Sequence, residues 1–338
     1  MFISEAGKSE MQFSAQEHIK KEVVVFVYHR FGDPRFPITN ISLQEFEDQL
    51  SYLKSQDFTV MKFGDAVDYI TNPEKPFVEK VACITVDDGY LTFYDNAMPL
   101  LHKYGYKATV FINSESVKYS DFMNWEQLKA ISDDGIEIGN HSHSHAYFVD
   151  IPANDRIRIF KSDLQKCQEN IQQHLGFSPD VFAYPYGEFD LEMKGVLKNL
   201  GFKAAAAQNS GVMHNHDIYA IARFPMAGPF TKIEAFKEKA NMHALRIENK
   251  IPESSIVEQQ NNPPMITIQF DSSGVDLTRY NCFISEECES SRDGSTIILK
   301  AKQKLKNRRT LYKITAPAKN GKGWYWYSHL WIQPNIKE

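Results

Sequence analysis

Long apolar segments are missing from this sequence. A helix needs about 18 or more consecutive apolar residues to cross a bilayer, and no such run occurs in the 338 residues. The longest apolar stretch near the start, residues 23–28, has the length of a β-strand. Residues 1–21 are polar and lack the apolar centre of a signal peptide. We therefore expect no transmembrane segment, and either a cytosolic protein or one whose export signal is absent from this sequence.

Cysteine is scarce as well. Four cysteines do not form a disulfide scaffold for a chain of this length, and the C-x-x-C spacing of zinc sites does not occur. Cys83 and Cys167 lie in apolar or helical patterns and are expected as buried thiols. Cys282 and Cys288 are six residues apart and could bridge a small loop. That pair weakly indicates an oxidising compartment.

Charge of one sign is not in excess either. The net charge of −5 offers no positive surface for nucleic acid. The hydrophobic content of 42% and aromatic content of 13% indicate a globular protein with a sizeable core. At this length the chain can form one large domain, or one large and one small domain.

Strand and helix patterns alternate from residue 22 to about 243. The stretch 41–55 is amphipathic, and Ser42 with Glu45 has the pattern of a capping box. This alternation favours a parallel sheet, and seven or eight repeats favour a distorted (β/α)7–8 barrel over an open sheet. Glycines end three further predicted helices, at 96–105, 122–135 and 153–175. The predicted strands are 22–28, 58–63, 81–87, 107–112, 136–140, 181–185, 203–208 and 219–223.

Composition changes near residue 250, where a polar segment rich in proline begins. The expected organisation is an N-terminal extension (1–21), an α/β barrel (22–248), a linker (249–264) and a small all-β domain (265–338). In the last unit, aromatic side chains at 324–327 either pack or contact carbohydrate. Six cations are expected to form a solvated face or, alternatively, to bind an anionic glycan: Lys300, Lys302, Lys304, Lys306, Arg308 and Arg309.

Three polar stretches follow predicted strands, at the barrel end where ligand-binding groups collect. The first is Asp87-Asp88-Gly89, the second holds His141, His143 and His145, and the third is Tyr184-Pro185-Tyr186-Gly187. Histidines four residues apart with a carboxylate from another strand can bind a divalent metal ion. The metal ion would neutralise one aspartate and leave the other free as a base. Taken alone, the aspartates fit a turn and the histidines fit a polar loop; the three stretches together favour a catalytic site.

The three stretches resemble the motifs of the NodB-homology polysaccharide deacetylases (carbohydrate esterase family 4). Residues 27–32, VYHRFG, also resemble the start of the family branch that deacetylates poly-N-acetylglucosamine. The resemblance covers about residues 22–230. It implies a distorted barrel and metal-dependent removal of acetyl groups from glycans. The matching elements are Thr85-Val86-Asp87-Asp88-Gly89, His141-Ser142-His143-Ser144-His145 and Ala183-Tyr184-Pro185-Tyr186-Gly187.

The resemblance also implies roles for individual residues. Asp87 would be the general base, and Asp88, His141 and His145 would bind the metal. Tyr186 would donate its backbone N–H to the oxyanion. His143 falls on a variable position of the motif and is expected outside the ligand set.

Two departures from the family pattern concern the base and the acid. Ala183 stands where an arginine often holds the base aspartate, and Arg223 could supply that charge instead or be an ordinary strand-end arginine. The late motif that supplies the acid is unclear. His29, at the end of the first strand, is the preferred acid, with a core-edge histidine as the alternative. His214 and His216 are weaker candidates for the acid.

The expected function is metal-dependent N-deacetylation of a polysaccharide containing N-acetylglucosamine, such as an exopolysaccharide or peptidoglycan. An O-acetyl esterase on xylan-like glycans and a non-catalytic glycan-binding protein are the alternatives. Zn²⁺ is the expected metal, with Co²⁺ or Ni²⁺ also compatible. The expected partner is the glycan rather than nucleic acid. The expected location is the periplasm, the cell envelope or the exterior, with the cytoplasm disfavoured.

Overall fold

A parallel sheet curled into a barrel forms the main body of the protein. The structure, a computed structural model, describes residues 20–285 and 287–337. The predicted N-terminal extension therefore lies outside the described residues, apart from Lys20 and Lys21. The strands of this part are β1 (Val23–Tyr28), β2 (Arg30–Phe31), β3 (Asn40–Ile41), β4 (Thr59–Met61), β5 (Val81–Val86), β6 (Thr109–Ile112), β7 (Glu137–Asn140), β8 (Val181–Ala183), β9 (Ala204–Ala206), β10 (Val212–Met213) and β11 (Phe224–Pro225).

The barrel strands β1, β5, β6, β7, β8 and β9 are neighbours in that order, and each pair is parallel. β1 and β5 are buried along their whole lengths, as expected for parallel strands covered on both faces. Their carboxyl ends meet at one rim of the barrel. Segments after these strands are therefore brought together although they are far apart in sequence.

An irregular segment closes the barrel between β9 and β1. Ile221 forms an isolated bridge with Ala206 of β9, and β11 pairs with β1 through Phe224 and Phe26. The prediction of a strand at 219–223 is therefore wrong. This segment crosses from β9 to β1, so its regular hydrogen-bonded pairing with each of these strands extends over only a few residues. The predicted distorted barrel is confirmed.

The helices surround the sheet. The predicted capping box of α1 is present, because Ser42 Oγ accepts from the Glu45 N–H and the Glu45 side chain accepts from the Ser42 N–H. Gly105 and Gly176 end α3 and α5 in the left-handed conformation, as their positions indicated. The helices are α1 (Leu43–Ser55), α2 (Phe63–Thr71), α3 (Met98–Tyr104), α4 (Trp125–Asp133), α5 (Ala153–Leu175), α6 (Leu191–Asn199) and α7 (Ile233–Ala240). None of the helices in the described ranges has the length and apolar character needed to span a membrane.

Two four-stranded sheets follow the barrel. One has the order β12-β19-β18-β15 and the other the order β13-β14-β17-β16, so the C-terminal part is all-β as predicted. β13 starts inside the predicted barrel unit and ends inside the predicted linker, and the domain boundaries stay a prediction. The strands are β12 (Met242–Ala244), β13 (Ile247–Ile251), β14 (Met265–Phe270), β15 (Asn281–Phe283), β16 (Cys288–Asp293), β17 (Thr296–Ala301), β18 (Arg309–Pro317) and β19 (Trp324–Ile332).

The first C-terminal sheet packs directly on the barrel. Leu330 and Ile332 of β19 belong to the same apolar cluster as Phe182 and Tyr184. Trp326 donates its indole N–H to the Ser210 carbonyl at 3.0 Å. Trp326 is therefore a packing residue and does not form an open sugar-binding surface, whereas the Trp324 side chain is 43% exposed.

Candidate active site

The two adjacent aspartates leave the end of β5 in different directions. The Asp87 N–H donates to the Tyr28 carbonyl at 2.9 Å, which continues the pairing of β5 with β1 by one residue. Asp88 then adopts φ of +74° and Gly89 φ of +76°. This sharp turn sends the Asp88 side chain away from that of Asp87. Asp87 is fully buried, whereas the side chain of Asp88 keeps 12% exposure.

Asp88, His141 and His145 converge on one point. Asp88 Oδ1 lies 3.5 Å from His141 Nε2 and 3.3 Å from His145 Nε2, and the two Nε2 atoms are 3.2 Å apart. A tetrahedral metal ion with ligand distances of about 2.0–2.1 Å has ligands about 3.3–3.4 Å apart. These three residues form the group in the described part of the chain that could hold a metal ion, and their spacing fits that ion.

Neighbouring groups hold both histidines in this arrangement. His141 Nδ1 lies 2.7 Å from the Ala183 carbonyl. An Nδ1–H donating to that oxygen leaves Nε2 with its lone pair toward the site, the arrangement usual for metal-binding histidines. The His145 N–H donates to Ser142 Oγ at 3.0 Å. Ser142 in turn is fixed through its N–H, which donates to Asn140 Oδ1 at 2.7 Å.

Backbone strain is concentrated at this site. Among the described residues, six other than glycine have positive φ, and four of them lie here: Asp88, Ser142, His145 and Tyr186. Such conformations cost about 1–3 kcal/mol each and persist where the surrounding structure enforces them. The clustering indicates that these strained backbone conformations are maintained because they set the directions of the side chains at the site.

Electrostatics suit a cation at this point. Burial works to raise the pKa of Asp88, but the hydrogen bond with His141 and the charges of His145 and His29 hold it below the usual aspartate range. Burial and the neighbouring His141 lower the pKa of His145 to about 4. Asp88 is thus ionised and His145 neutral near pH 7, which are the states in which these groups bind a metal. Burial works to lower the pKa of His141, but the hydrogen bond with Asp88 and the charges of both aspartates raise it above the usual histidine value, so a metal ion that binds here displaces a proton from His141.

The other aspartate is held by an arginine from the closing segment of the barrel. Arg223 Nη1 and Nη2 donate to the two carboxylate oxygens of Asp87, each at 2.7 Å, and Arg223 itself is fully buried. Its Nε donates to the Ala207 carbonyl at 2.8 Å. Burial works to raise the pKa of Asp87, but the charges of Arg223 and His141 and the hydrogen bonds from Arg223 together outweigh it, and the pKa lies below the usual value. Asp87 is therefore a carboxylate next to the metal-binding group and outside it.

His29 and Tyr186 border the same site. The Nδ1 atom of His29 is buried without a hydrogen-bond partner in the described ranges, and the charge of His29 lowers the pKa values of both aspartates. The ring of Tyr186 lies 4.5 Å from that of His145. Its backbone, with φ of +58°, turns the chain at the end of β8. The seven residues named from the sequence thus lie together, and their chemical roles stay predictions.

Three other histidines lie elsewhere. His143 Nδ1 lies 2.8 Å from Ser114 Oγ, and His143 is not part of the group of three metal-type donors. His214 and His216 follow β10, which pairs with the first residues of β1. They are therefore near the opposite end of the barrel from the carboxyl ends of the strands, and the structure does not bring them to the site.

The sequence interpretation missed several neighbours of the aspartates. Gln208 Nε2 lies 3.4 Å from Asp87 Oδ2. Tyr90 interacts with Asp88, and burial together with the charge of Asp88 raises the pKa of Tyr90. The guanidinium of Arg30 lies 3.5 Å from the centre of the Tyr90 ring. Tyr90 directly follows the Asp-Asp-Gly motif, and that adjacency was the available signal.

Comparisons with known proteins agree with this geometry. The family model described as polysaccharide deacetylase matches residues 74–205. The poly-β-1,6-N-acetyl-D-glucosamine N-deacetylase of Staphylococcus aureus is 26% identical over 212 residues, which are 59% of this chain and 71% of that protein.

Solved structures share the fold. IcaB from Ammonifex degensii is 26% identical with a TM-score of 0.57, over 65% of this chain and 95% of that one. The deacetylase PplD of Streptococcus pyogenes, solved with acetate, has a TM-score of 0.60 at 18% identity, over 65% of this chain and 99% of that one. About a third of this chain therefore has no counterpart in these structures. With the matched motifs at the barrel rim, the chain contains a polysaccharide deacetylase domain of the NodB-homology type and is a deacetylase.

Proposed function

We propose that this protein removes N-acetyl groups from a polysaccharide that contains N-acetylglucosamine and releases acetate. The observation that carries the proposal is the division of labour between two adjacent carboxylates. Asp88 lies with two imidazoles in a group spaced for one metal ion, and Asp87 stays outside that group on a buried arginine. Hydrolysis of an amide needs both a Lewis acid and a nearby proton acceptor.

A divalent cation, when bound, polarises the acetamide carbonyl and lowers the pKa of a water molecule from about 15.7 toward about 7. Asp87 accepts the proton from the attacking water. Arg223 occupies one lone-pair direction of each carboxylate oxygen and fixes the plane of the group. The remaining lone pairs of Asp87 can face the water, so the arginine orients the base without blocking it.

The leaving amine needs a proton before the bond between carbon and nitrogen breaks. His29 is the proposed donor, because it lies beside both aspartates and belongs to the same rim of the barrel. The Tyr186 N–H is the proposed donor to the oxyanion, because Tyr186 borders the metal-binding group, with its ring 4.5 Å from that of His145. The water oxygen ends in acetate, and the amine stays on the sugar as glucosamine.

Zn²⁺ is the proposed metal, since two imidazole nitrogens and one carboxylate oxygen at tetrahedral spacing suit it. Co²⁺ and Ni²⁺ accept the same donors. A polymer of β-1,6-linked N-acetylglucosamine is the first proposed substrate, because a relative at 26% identity carries that activity in its name. Such polymers lie outside the cytoplasm, which supports a location in the cell envelope or beyond it.

The test is a panel of acetate-release assays with added Zn²⁺, Co²⁺ or Ni²⁺. The substrates are poly-N-acetylglucosamine, chitooligosaccharides, peptidoglycan and acetylated xylan. Release from an N-acetylglucosamine polymer supports the proposal. Release from xylan alone would instead make the protein an O-acetyl esterase, and binding without release would make it a glycan-binding protein.

Metal analysis tests the ligand set independently of the substrate. His141→Ala and His145→Ala are expected to lower the bound metal to a small fraction of the wild-type content. His143→Ala is the matched control, since it removes an imidazole from the same loop and leaves the three donors intact. Equal metal content in all three variants would remove the histidines from the proposed ligand set.

A further inference from the structure

A pocket of about 410 Å³ opens beside the active site, between the barrel and the first C-terminal sheet. Its barrel wall includes Tyr186 and Gln208, both of which adjoin the catalytic group. The opposite wall includes Arg309 and Lys313 of β18. The family model ends at residue 205, so this wall is a feature of this chain that the family match does not cover.

A network of hydrogen bonds fixes the sheet at this position. Arg308 donates to both carboxylate oxygens of Glu188, each at 2.7 Å, and to those of Asp150 at 2.9 and 3.0 Å. Arg309 Nη1 donates to the Tyr186 carbonyl at 2.9 Å. The pocket wall is thus tied to the loop that lines the catalytic site, so that a ligand in the pocket lies next to that site.

The charge of this wall is positive. Arg309 and Lys313 are four positions apart along β18 and therefore share one face of the sheet. Glu188 offsets part of the Arg309 charge from 4.0 Å. Burial lowers the pKa of Lys313, and the charged neighbour that acts on it is another cation, Lys239.

An exposed aromatic ring stands next to this lysine. Phe283 of β15 is paired with Lys313 across the two strands, so both side chains lie on the same face. The Phe283 side chain is 48% exposed. An exposed ring beside a polar pocket is the surface on which the apolar face of a sugar stacks.

We infer, on the basis of the proposed function, that this pocket binds the sugar unit next to the one being deacetylated and that Lys313 disfavours glucosamine there. The physical reason is the charge of the product. N-Acetylglucosamine is neutral, whereas the freed amine of glucosamine is cationic near neutral pH, and like charges brought together oppose binding. The enzyme then favours sites with acetylated neighbours, and the deacetylated units in the product are spaced apart rather than contiguous.

The experiment uses oligomers of the best substrate from the panel, either fully acetylated or with one glucosamine at a defined position. Acetate release gives kcat/KM, and tandem mass spectrometry gives the position of each deacetylated unit. The wild-type protein is expected to favour the fully acetylated oligomer by about tenfold, the size of one partly buried charge contact. Lys313→Met is expected to reduce that preference, and Lys313→Glu to reverse it.

Lys322→Glu is the matched control, because it makes the same charge reversal on an exposed residue in the turn between β18 and β19. It is expected to keep the wild-type preference. A wild-type enzyme indifferent to the neighbouring unit, or a Lys313→Glu variant with the wild-type pattern, overturns the inference. Either result leaves the proposed function standing, because that function rests on release from the fully acetylated oligomer.

Binding measurements separate recognition from turnover. Asp87→Asn removes the proposed base, and its affinity for fully acetylated and fully deacetylated oligomers can be compared by calorimetry. Adding Lys313→Glu is expected to raise the affinity for the deacetylated oligomer about tenfold at low salt, with a smaller gain at 0.5 M salt as screening grows (a Debye length of roughly 4 Å). If Lys313→Glu leaves the ratio of the affinities for acetylated and deacetylated oligomers unchanged, the inference is contradicted, and this result does not depend on the rate of turnover.

Discussion

Two buried arginines occupy comparable positions in this protein and have different consequences. Arg223 lies inside the barrel and binds Asp87 through two hydrogen bonds of 2.7 Å. Arg308 lies between the barrel and the C-terminal sheet and binds Glu188 through two bonds of the same length. The two pairs have the same chemistry and similar burial, so burial and pairing alone do not mark a catalytic group.

The surroundings of the carboxylate make the difference. Asp87 adjoins three converging metal-type donors, and the Arg223 charge keeps it ionised there. Glu188 lies in the loop after β8, and Arg308 joins that loop to the sheet and to Asp150. The first ion pair orients a proton acceptor, whereas the second holds two layers of the molecule together. Four predictions are ordered from the largest expected effect to the smallest: the first two test this distinction, and the last two test the C-terminal sheet and the histidine loop separately.

Asp87→Asn should lower the rate of acetate release by about 10²–10⁴, the usual contribution of a general base. The amide keeps the size of the side chain, and Asp88, His141 and His145 remain in place. Metal content should therefore be unchanged in elemental analysis. Loss of the metal from this variant would mean that the two aspartates have each other's roles.

Arg308→Met and Arg223→Met should each lower the free energy of unfolding by about 3–5 kcal/mol, because each leaves a buried carboxylate without its partner. Urea denaturation measures this loss. Only Arg223→Met should also reduce acetate release at temperatures where both variants are folded. The double variant Arg308→Met, Glu188→Met should recover much of the stability, since both charges are then removed. An equal loss of activity in both single variants would contradict the assignment of a catalytic role to the Arg223–Asp87 pair and a purely structural role to the Arg308–Glu188 pair.

Oxidation of Cys282 and Cys288 should stabilise the C-terminal part by about 2 kcal/mol, the loop-closure estimate for a short loop. Their Sγ atoms are 3.4 Å apart, and the thiols are free in the structure. Mass spectrometry without reductant detects the disulfide, and thermal unfolding with and without reductant measures its effect on stability. Cys282→Ser should abolish the difference between the two conditions.

His143→Ala should have the smallest effect, a loss of about 1 kcal/mol from the hydrogen bond with Ser114. Acetate release should stay within about threefold of the wild-type rate, because the imidazole contacts Ser114 and is not part of the group of three donors. Steady-state kinetics on the best substrate check this expectation. A loss as large as that of Asp87→Asn would place His143 in the catalytic machinery.

The sequence allowed much of this architecture to be predicted. Periodic apolar strands, the Ser42–Glu45 capping box and the glycines after α3 and α5 are local signals, and each appears in the structure at the expected place. The strand expected at 219–223 fails for a non-local reason. Its backbone pairs with two different strands, because Ile221 bridges to β9 and Phe224 pairs with β1. The periodicity of side chains along a segment does not show which strand that segment pairs with.

The cations near residue 308 show the same limit. Their alternation indicated a solvated face, yet Arg308 is only 4% exposed. Its partners Glu188 and Asp150 lie at least 120 residues away in the chain, so no local sequence pattern around Arg308 predicts these contacts. Gln208 and Tyr90 were missed because a single amide or phenol carries little information until its neighbours are known.

The sequence by itself determined which chemical groups are present and that they follow buried strands: a pair of aspartates, histidines four residues apart and a turn at Tyr186. These are local properties, set by residue type and by the period of the chain. Only the tertiary structure decided that Asp88 converges with His141 and His145 while Asp87 is held by Arg223, and that β18 forms a wall beside them. Those relations join residues from separate strands, and barrel closure and sheet packing bring them within hydrogen-bonding distance.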